Sequence, residues 1–145
     1  KFLIILFFVS SCGYSPIFSN KNSNFSIVEI KSTGNSNLNK ILINKLDNYK
    51  NTSGKKKFSL KIDTNLKKEV ASKDTKGNPK TYKMNVSLKI YSEDEKNNLE
   101  EKSFSKSTNY NNSSNKFKLK KYENETAKNL TEKIAEEIII YLQSI

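Results

Sequence analysis

Two stretches of this chain alternate apolar and polar side chains with a period of two. That pattern restricts the fold more than any other feature of the sequence. Phe58, Leu60, Ile62 and Leu66 alternate with Ser59, Lys61, Asp63 and Asn65. Tyr82, Met84, Val86, Leu88 and Ile90 alternate with Lys83, Asn85, Ser87 and Lys89. Successive side chains of a strand point to opposite faces, so each stretch predicts a strand with one buried and one wet face. A sheet that is apolar on one side needs a cover, and two other segments supply it. Leu38, Ile41, Leu42, Leu46 and Tyr49 recur at spacings of three and four, as do Ala127, Leu130, Ile134, Ala135, Ile138, Tyr141, Leu142 and Ile145. Each set is the apolar stripe of an amphipathic helix.

The connecting segments complete the order. Phe25-Ser26-Ile27-Val28-Glu29-Ile30 is rich in β-branched and aromatic residues and predicts a first strand. Gly34 and Asn35 follow as a turn, and Ser36 or Asn37 is the expected N-cap of the first helix. Residues 51–54 should end that helix, with Gly54 in a left-handed position. Residues 71–80 contain Gly77-Asn78-Pro79 and predict a mobile hairpin loop, and residues 93–98 the next turn. Residues 99–110 form a fourth, half-exposed strand, in which Lys102 and Lys106 interrupt Phe104, Thr108 and Tyr110. Residues 111–115 are a loop and cap before the second helix. The expected fold is α+β: a two-layer sandwich, β-α-β-β-β-α, with a four-stranded sheet and two helices packed on one face.

Composition removes most catalytic readings. The chain has 145 residues, no histidine and one cysteine. It can hold no Ser-His-Asp triad, no histidine zinc site and no imidazole acid–base pair. Four glycines form no phosphate-cradling loop. Glu100-Glu101 and Glu136-Glu137 are adjacent pairs whose side chains diverge on a strand or helix, so they make poor acid–base partners. A hydrolase using a Ser-Lys pair would find both residue types here, but no spacing singles out one pair. No catalytic residue, metal or cofactor is expected. The 26 basic residues are all lysine and face 15 acidic ones, a net charge of +11 that favours anionic partners.

Cys12 decides which anions those are. It follows Lys1-Phe2-Leu3-Ile4-Ile5-Leu6-Phe7-Phe8-Val9-Ser10-Ser11: a lone positive charge, an apolar run and two small residues. That order is a secretion signal ending in a lipobox, and the run is too short to span about 30 Å of hydrocarbon. Residues 1–11 are read as the signal peptide, residues 12–24 as a lipidated tether, and residues 25–145 as one domain. Acylation of Cys12 anchors the chain, at roughly 0.8 kcal/mol per buried methylene. The chain starts at Lys1, so residues preceding it are expected to be missing. Export argues against nucleic acid as a partner and leaves anionic head groups or phosphorylated glycolipid. Gly13, where aspartate would hold many lipoproteins in the inner membrane, favours the outer membrane.

The lipobox, the sequence Gly13-Tyr14-Ser15-Pro16-Ile17-Phe18 after it, the β-α-β-β-β-α order, and a last helix with Ala127, Leu130, Ile134, Ala135 and Ile138 occur together. In this combination the chain resembles the LptE family of lipopolysaccharide-assembly lipoproteins over essentially its whole length. The resemblance implies an outer-membrane lipoprotein on the periplasmic side that plugs and assembles the LptD β-barrel. It implies help with lipopolysaccharide insertion and no covalent chemistry. Lipid A phosphates need cations. The candidate set is Lys116, Lys118, Lys120 and Lys121, interleaved with Phe117, Leu119 and Tyr122, followed by Lys67 and Lys68 and the hairpin of residues 73–83. Lys55-Lys56-Lys57 is a further cluster. The alternative reading is a structural or binding lipoprotein subunit of another envelope complex.

Overall fold

A computed structural model describes residues 23–145. The expected signal peptide (residues 1–11), the expected lipidation site Cys12 and the Gly13-Tyr14-Ser15-Pro16-Ile17-Phe18 stretch lie outside the described residues. The elements are β1 (Phe25–Gly34), α1 (Ser36–Leu46), a 3-10 turn (Asp47–Tyr49), β2 (Lys56–Lys73), β3 (Pro79–Asp94), β4 (Leu99–Asn111) and α2 (Lys116–Ser144). The sheet order is β1-β2-β3-β4. β1 runs parallel to β2 and the remaining pairs are antiparallel. The α+β two-layer sandwich expected from the periodicity is the observed fold.

The register shows how the two alternations share one core. Ile62 lies opposite Ile90 and Leu66 opposite Val86, all on the helix side of the sheet. Ile62, Val86 and Ile90 are fully buried, as are Leu38, Leu42 and Leu46 of α1 and Ile134, Ile138 and Leu142 of α2. The helices pack on each other and on the same sheet face. Burying each such side chain contributes about 1.5–3 kcal/mol, which is what holds the layers together. Lys102 and Lys106 sit on this face of β4 without being buried, because α2 lays its polar flank over the sheet edge. Lys106 pairs with Glu137, and Lys102 lies 5.7 Å from the centre of the Tyr141 ring.

Several boundaries differ from the sequence reading, each for a local reason. Asn35, rather than Ser36 or Asn37, caps α1: its Oδ1 accepts from the Asn37 and Leu38 amides at 3.1 and 3.2 Å. It is free to do so because Gly34, at φ +90°, turns the chain sharply out of β1. Gly54 does not take a left-handed conformation; Asn51 does, at φ 52°. Gly54 instead lets the Phe25 backbone approach, since a Cβ there would sit 2.2 Å from the Phe25 carbonyl carbon. The loop expected over residues 71–80 contracts to residues 74–78, because β2 and β3 continue pairing beyond the core. Residues 67–73 of β2 are exposed on both faces, so they carry no apolar alternation to reveal them.

Both hairpin turns are built alike. Asp74 Oδ1 accepts from the amides of Lys76 and Asn78, and Asp94 Oδ1 from those of Lys96 and Asn98, all at 2.8–2.9 Å. The left-handed position is Gly77 in one and Asn97 in the other. An aspartate satisfying two amides of a tight turn explains the shared Asp-x-Lys-(Gly/Asn)-Asn sequence.

Candidate functional site

The strand directions give the domain two poles. The chain enters at one, where the Lys56 amide bonds to the Asn24 carbonyl at 3.1 Å. The β3–β4 turn lies there, and Lys56 reaches the Ile145 carbonyl at the end of α2. The β2–β3 hairpin and the start of α2 form the other pole, tied by Lys68 to Glu123 and by the Asn112 amide to the Lys80 carbonyl. Charge is divided unequally between them. Residues 65–83 carry six lysines and two acidic residues, and residues 111–128 carry five lysines and two. The rest of residues 23–145 carries thirteen and eleven. The pole far from the chain entry is therefore strongly basic.

Lys116, Lys118, Lys120 and Lys121 occupy the first two turns of α2 and are all exposed. Asn115 starts that helix by accepting from the Lys118 amide at 2.9 Å. At 100° per residue the four ammonium groups fan around the helix instead of converging on one point. Leu119 alone turns into the core, while Phe117 is 81% exposed and Tyr122 50% exposed. Apolar surface thus stands among cations, at a helix N-terminus whose dipole is itself positive. Beside it lies an open cavity of about 450 Å³ lined by Asn111, Ser113, Lys118, Leu119 and Tyr122. Tyr122 packs 5.8 Å from Tyr110, which stacks 5.7 Å from Tyr82.

The structure separates Lys67 from Lys68. Neighbours on a strand, they face opposite sides of the sheet. Lys67 lies on the open face, paired with Glu69 at 3.0 Å. Lys68 faces the helices, 2.5 Å from Glu123 and 4.1 Å above the Tyr82 ring. The Tyr110 hydroxyl donates to the same Glu123 oxygen at 2.8 Å. Burial alone would raise the Glu123 carboxyl, but the Lys68 and Tyr110 hydrogen bonds, with the Lys68 and Lys120 charges, hold it below its usual value. Burial first, and then the bond to Glu123, push the Tyr110 phenol up. Lys68 is therefore engaged in fastening α2 to the sheet, and the exposed α2 lysines are the ones available to an anion. The sequence reading missed Glu123. The signal was present: it sits one turn beyond Leu119 and one before Ala127, on the stripe, where a carboxylate needs a partner.

Lys55, Lys56 and Lys57 lie at the opposite pole. They border a cavity of about 320 Å³ that Asp94, Glu95 and Glu100 also line, and Lys57 pairs with Glu95 at 3.1 Å. That pole is mixed in charge. Among the described residues no group of side chains is arranged to hold a metal ion, and no helix is long and apolar enough to cross a membrane.

The sequence matches no family model and no curated protein. Solved structures do share the fold. Rare lipoprotein B from Shewanella oneidensis superposes with a TM-score of 0.61 at 13% identity, covering 80% of this chain and 94% of that one. A minor lipoprotein from Acinetobacter baumannii gives 0.63 at 10% identity, with 82% and 91% covered. Lipoprotein B from Nitrosomonas europaea gives 0.57 at 9% identity, with 81% and 84% covered. At these identities it is the fold that is common. This β-α-β-β-β-α sandwich is an architecture found in bacterial lipoproteins, over nearly the full length of each.

Proposed function

We propose that this chain is a non-enzymatic envelope lipoprotein of the LptE kind. Acylated at Cys12 and held at the periplasmic side of the outer membrane, it plugs and assembles an LptD-like β-barrel and assists lipopolysaccharide insertion. The observation that carries the reading is the polarity of the domain: the chain enters at one pole, and the cations around exposed Phe117 crown the other. β2 has 18 residues, so at about 3.3 Å each it extends about 59 Å. A bilayer with its head groups is about 40–45 Å thick. A domain anchored at one leaflet and standing in a barrel lumen would therefore present its basic pole at the other. Wide barrels have a polar lumen that a hydrophilic plug can fill. Lys116, Lys118, Lys120 and Lys121 supply charge for the phosphates, and Phe117 and Tyr122 supply contact for the apolar part of the glycolipid.

Co-expression with an LptD-like barrel from the same organism tests this. The chain from residue 12 with Cys12→Ala should co-purify with that barrel as a stable complex; its elution alone would favour a subunit of another envelope machine. Replacing the four α2 lysines with glutamine should weaken binding to purified lipopolysaccharide by tenfold or more at low salt, and added salt should do the same to the parent. Binding indifferent to both changes would remove the α2 turns from the site.

A further inference from the structure

We propose that the flank of β2 above the end of β1 takes an extended acidic segment of another protein as a fifth strand of the sheet. β1 pairs with β2 only as far as Gly34 opposite Thr64, where the positive φ of Gly34 turns the chain away into α1. β2 continues for nine more residues, 65–73, with β3 on one side and, among the described residues, no strand on the other. All of them are exposed except Leu66, which is half-buried.

The backbone there is set for pairing. The Lys56 amide and the Thr64 carbonyl both point to the β1 side, bonding Asn24 and Asn35. Strand pairing with β3 is unbroken from Phe58 to Val70, so the alternation persists and even-numbered residues keep facing outward. Leu66, Lys68 and Val70 therefore offer unpaired N–H and C=O groups in the lane that β1 has left. An open edge of this kind is a template for strand addition. Charge selects the occupant. Lys67 is paired with Glu69 and Lys68 with Glu123, so the net positive charge around this edge comes from Lys73, Lys76, Lys80 and Lys83, against Asp74 alone. These like charges repel a second copy of the same edge and attract an acidic strand. Val70, 44% exposed, and Leu66 add apolar contact on the helix side.

The proposal goes beyond the barrel-plug reading, and its test needs no barrel. The probe is a blocked ten-residue peptide alternating glutamate with valine and threonine, added to the full chain in detergent and followed by amide hydrogen exchange. The acidic peptide should slow exchange at Leu66, Lys68 and Val70 at least tenfold and leave α2 unchanged. The same peptide with lysine for glutamate should have no effect. Val70→Pro removes an outward N–H without touching the β2–β3 ladder, so it should abolish the protection. If that variant does not fold, an acidic peptide N-methylated at alternate residues replaces it and should fail to protect. Protection that survives N-methylation, that spreads equally to the β4 edge, or that arises without peptide as protein concentration rises would overturn the proposal.

Discussion

Gly34 and Gly77 have nearly the same backbone twist, at φ +90° and +85°, but different surroundings. A Cβ at Gly34 would sit 1.9 Å from the Thr64 carbonyl oxygen, whereas one at Gly77 would meet nothing within 4 Å. Gly34→Ala combines strain with a backbone clash and should cost about 2–4 kcal/mol, while Gly77→Ala should cost only the left-handed strain of about 1–2 kcal/mol. Urea denaturation of the two variants reads the difference. Lys67 and Lys68 make a similar contrast. Lys68→Met leaves Glu123 partly buried with one hydrogen bond fewer and should destabilise by about 1–2 kcal/mol, whereas Lys67→Met removes a solvated pair and should stay within about 0.5 kcal/mol. The same carboxylate gives an acid dependence. Its folded pKa lies below the ordinary 4.5, so its stabilisation is complete above that pH and lost as pH falls through the folded value. Hydrogen bonds from Asn78 and Asn98 hold Asp74 and Asp94 below their usual 3.8 in the same sense. The melting temperature should therefore fall on acidification from pH 5 to 3, and Glu123→Gln should flatten the upper part of that decline.

The strands and helices were legible wherever one face was buried. Ile62 and Ile90, or Ile134 and Ile138, could be placed because an apolar residue must find the core and its spacing reports the element. Legibility failed where burial stopped. The outer arm of β2, residues 67–73, is wet on both faces, so pairing there rests on backbone hydrogen bonds and the Asp74 turn, neither of which leaves a periodic trace. The start of α2 was legible, since Asn115 lies in the loop and cap read at residues 111–115, but the arrangement of its first turns was not. Its lysines cluster in sequence, but the helix that spreads them around its axis is fixed by Asn115 and by the few side chains it buries. Leu119 is the first of these, 7% exposed, whereas Ile138 in the C-terminal part of the helix is fully buried. Ile138→Ala should cost about 3–4 kcal/mol and unfold the whole domain. Leu119→Ala should cost about 2 kcal/mol and release chiefly the first two turns, visible as faster amide exchange over residues 116–122 with exchange beyond Leu130 unchanged. The Lys68–Glu123–Tyr110 cluster was illegible because its members lie far apart in sequence and meet only once the helix is laid on the sheet.

As a whole the molecule is a lopsided body, close to neutral where the chain enters and basic where the hairpin and α2 begin. The exposed lysines of α2 stand beside exposed aromatic surface, which suits an amphiphilic anion better than a soluble one. The fold, common to lipoproteins from three bacteria at about a tenth sequence identity, sets the frame. On that frame this chain sets eleven lysines and only four acidic residues within residues 65–83 and 111–128. The most direct test places a photoreactive benzoylphenylalanine at position 117 of the protein in cells, with a matched probe at position 56 at the opposite pole. If the basic pole is the one that meets glycolipid, irradiation yields a covalent adduct with lipopolysaccharide from position 117 and none from position 56. Lipopolysaccharide adducts formed from position 56 alone, or from neither, would contradict that assignment.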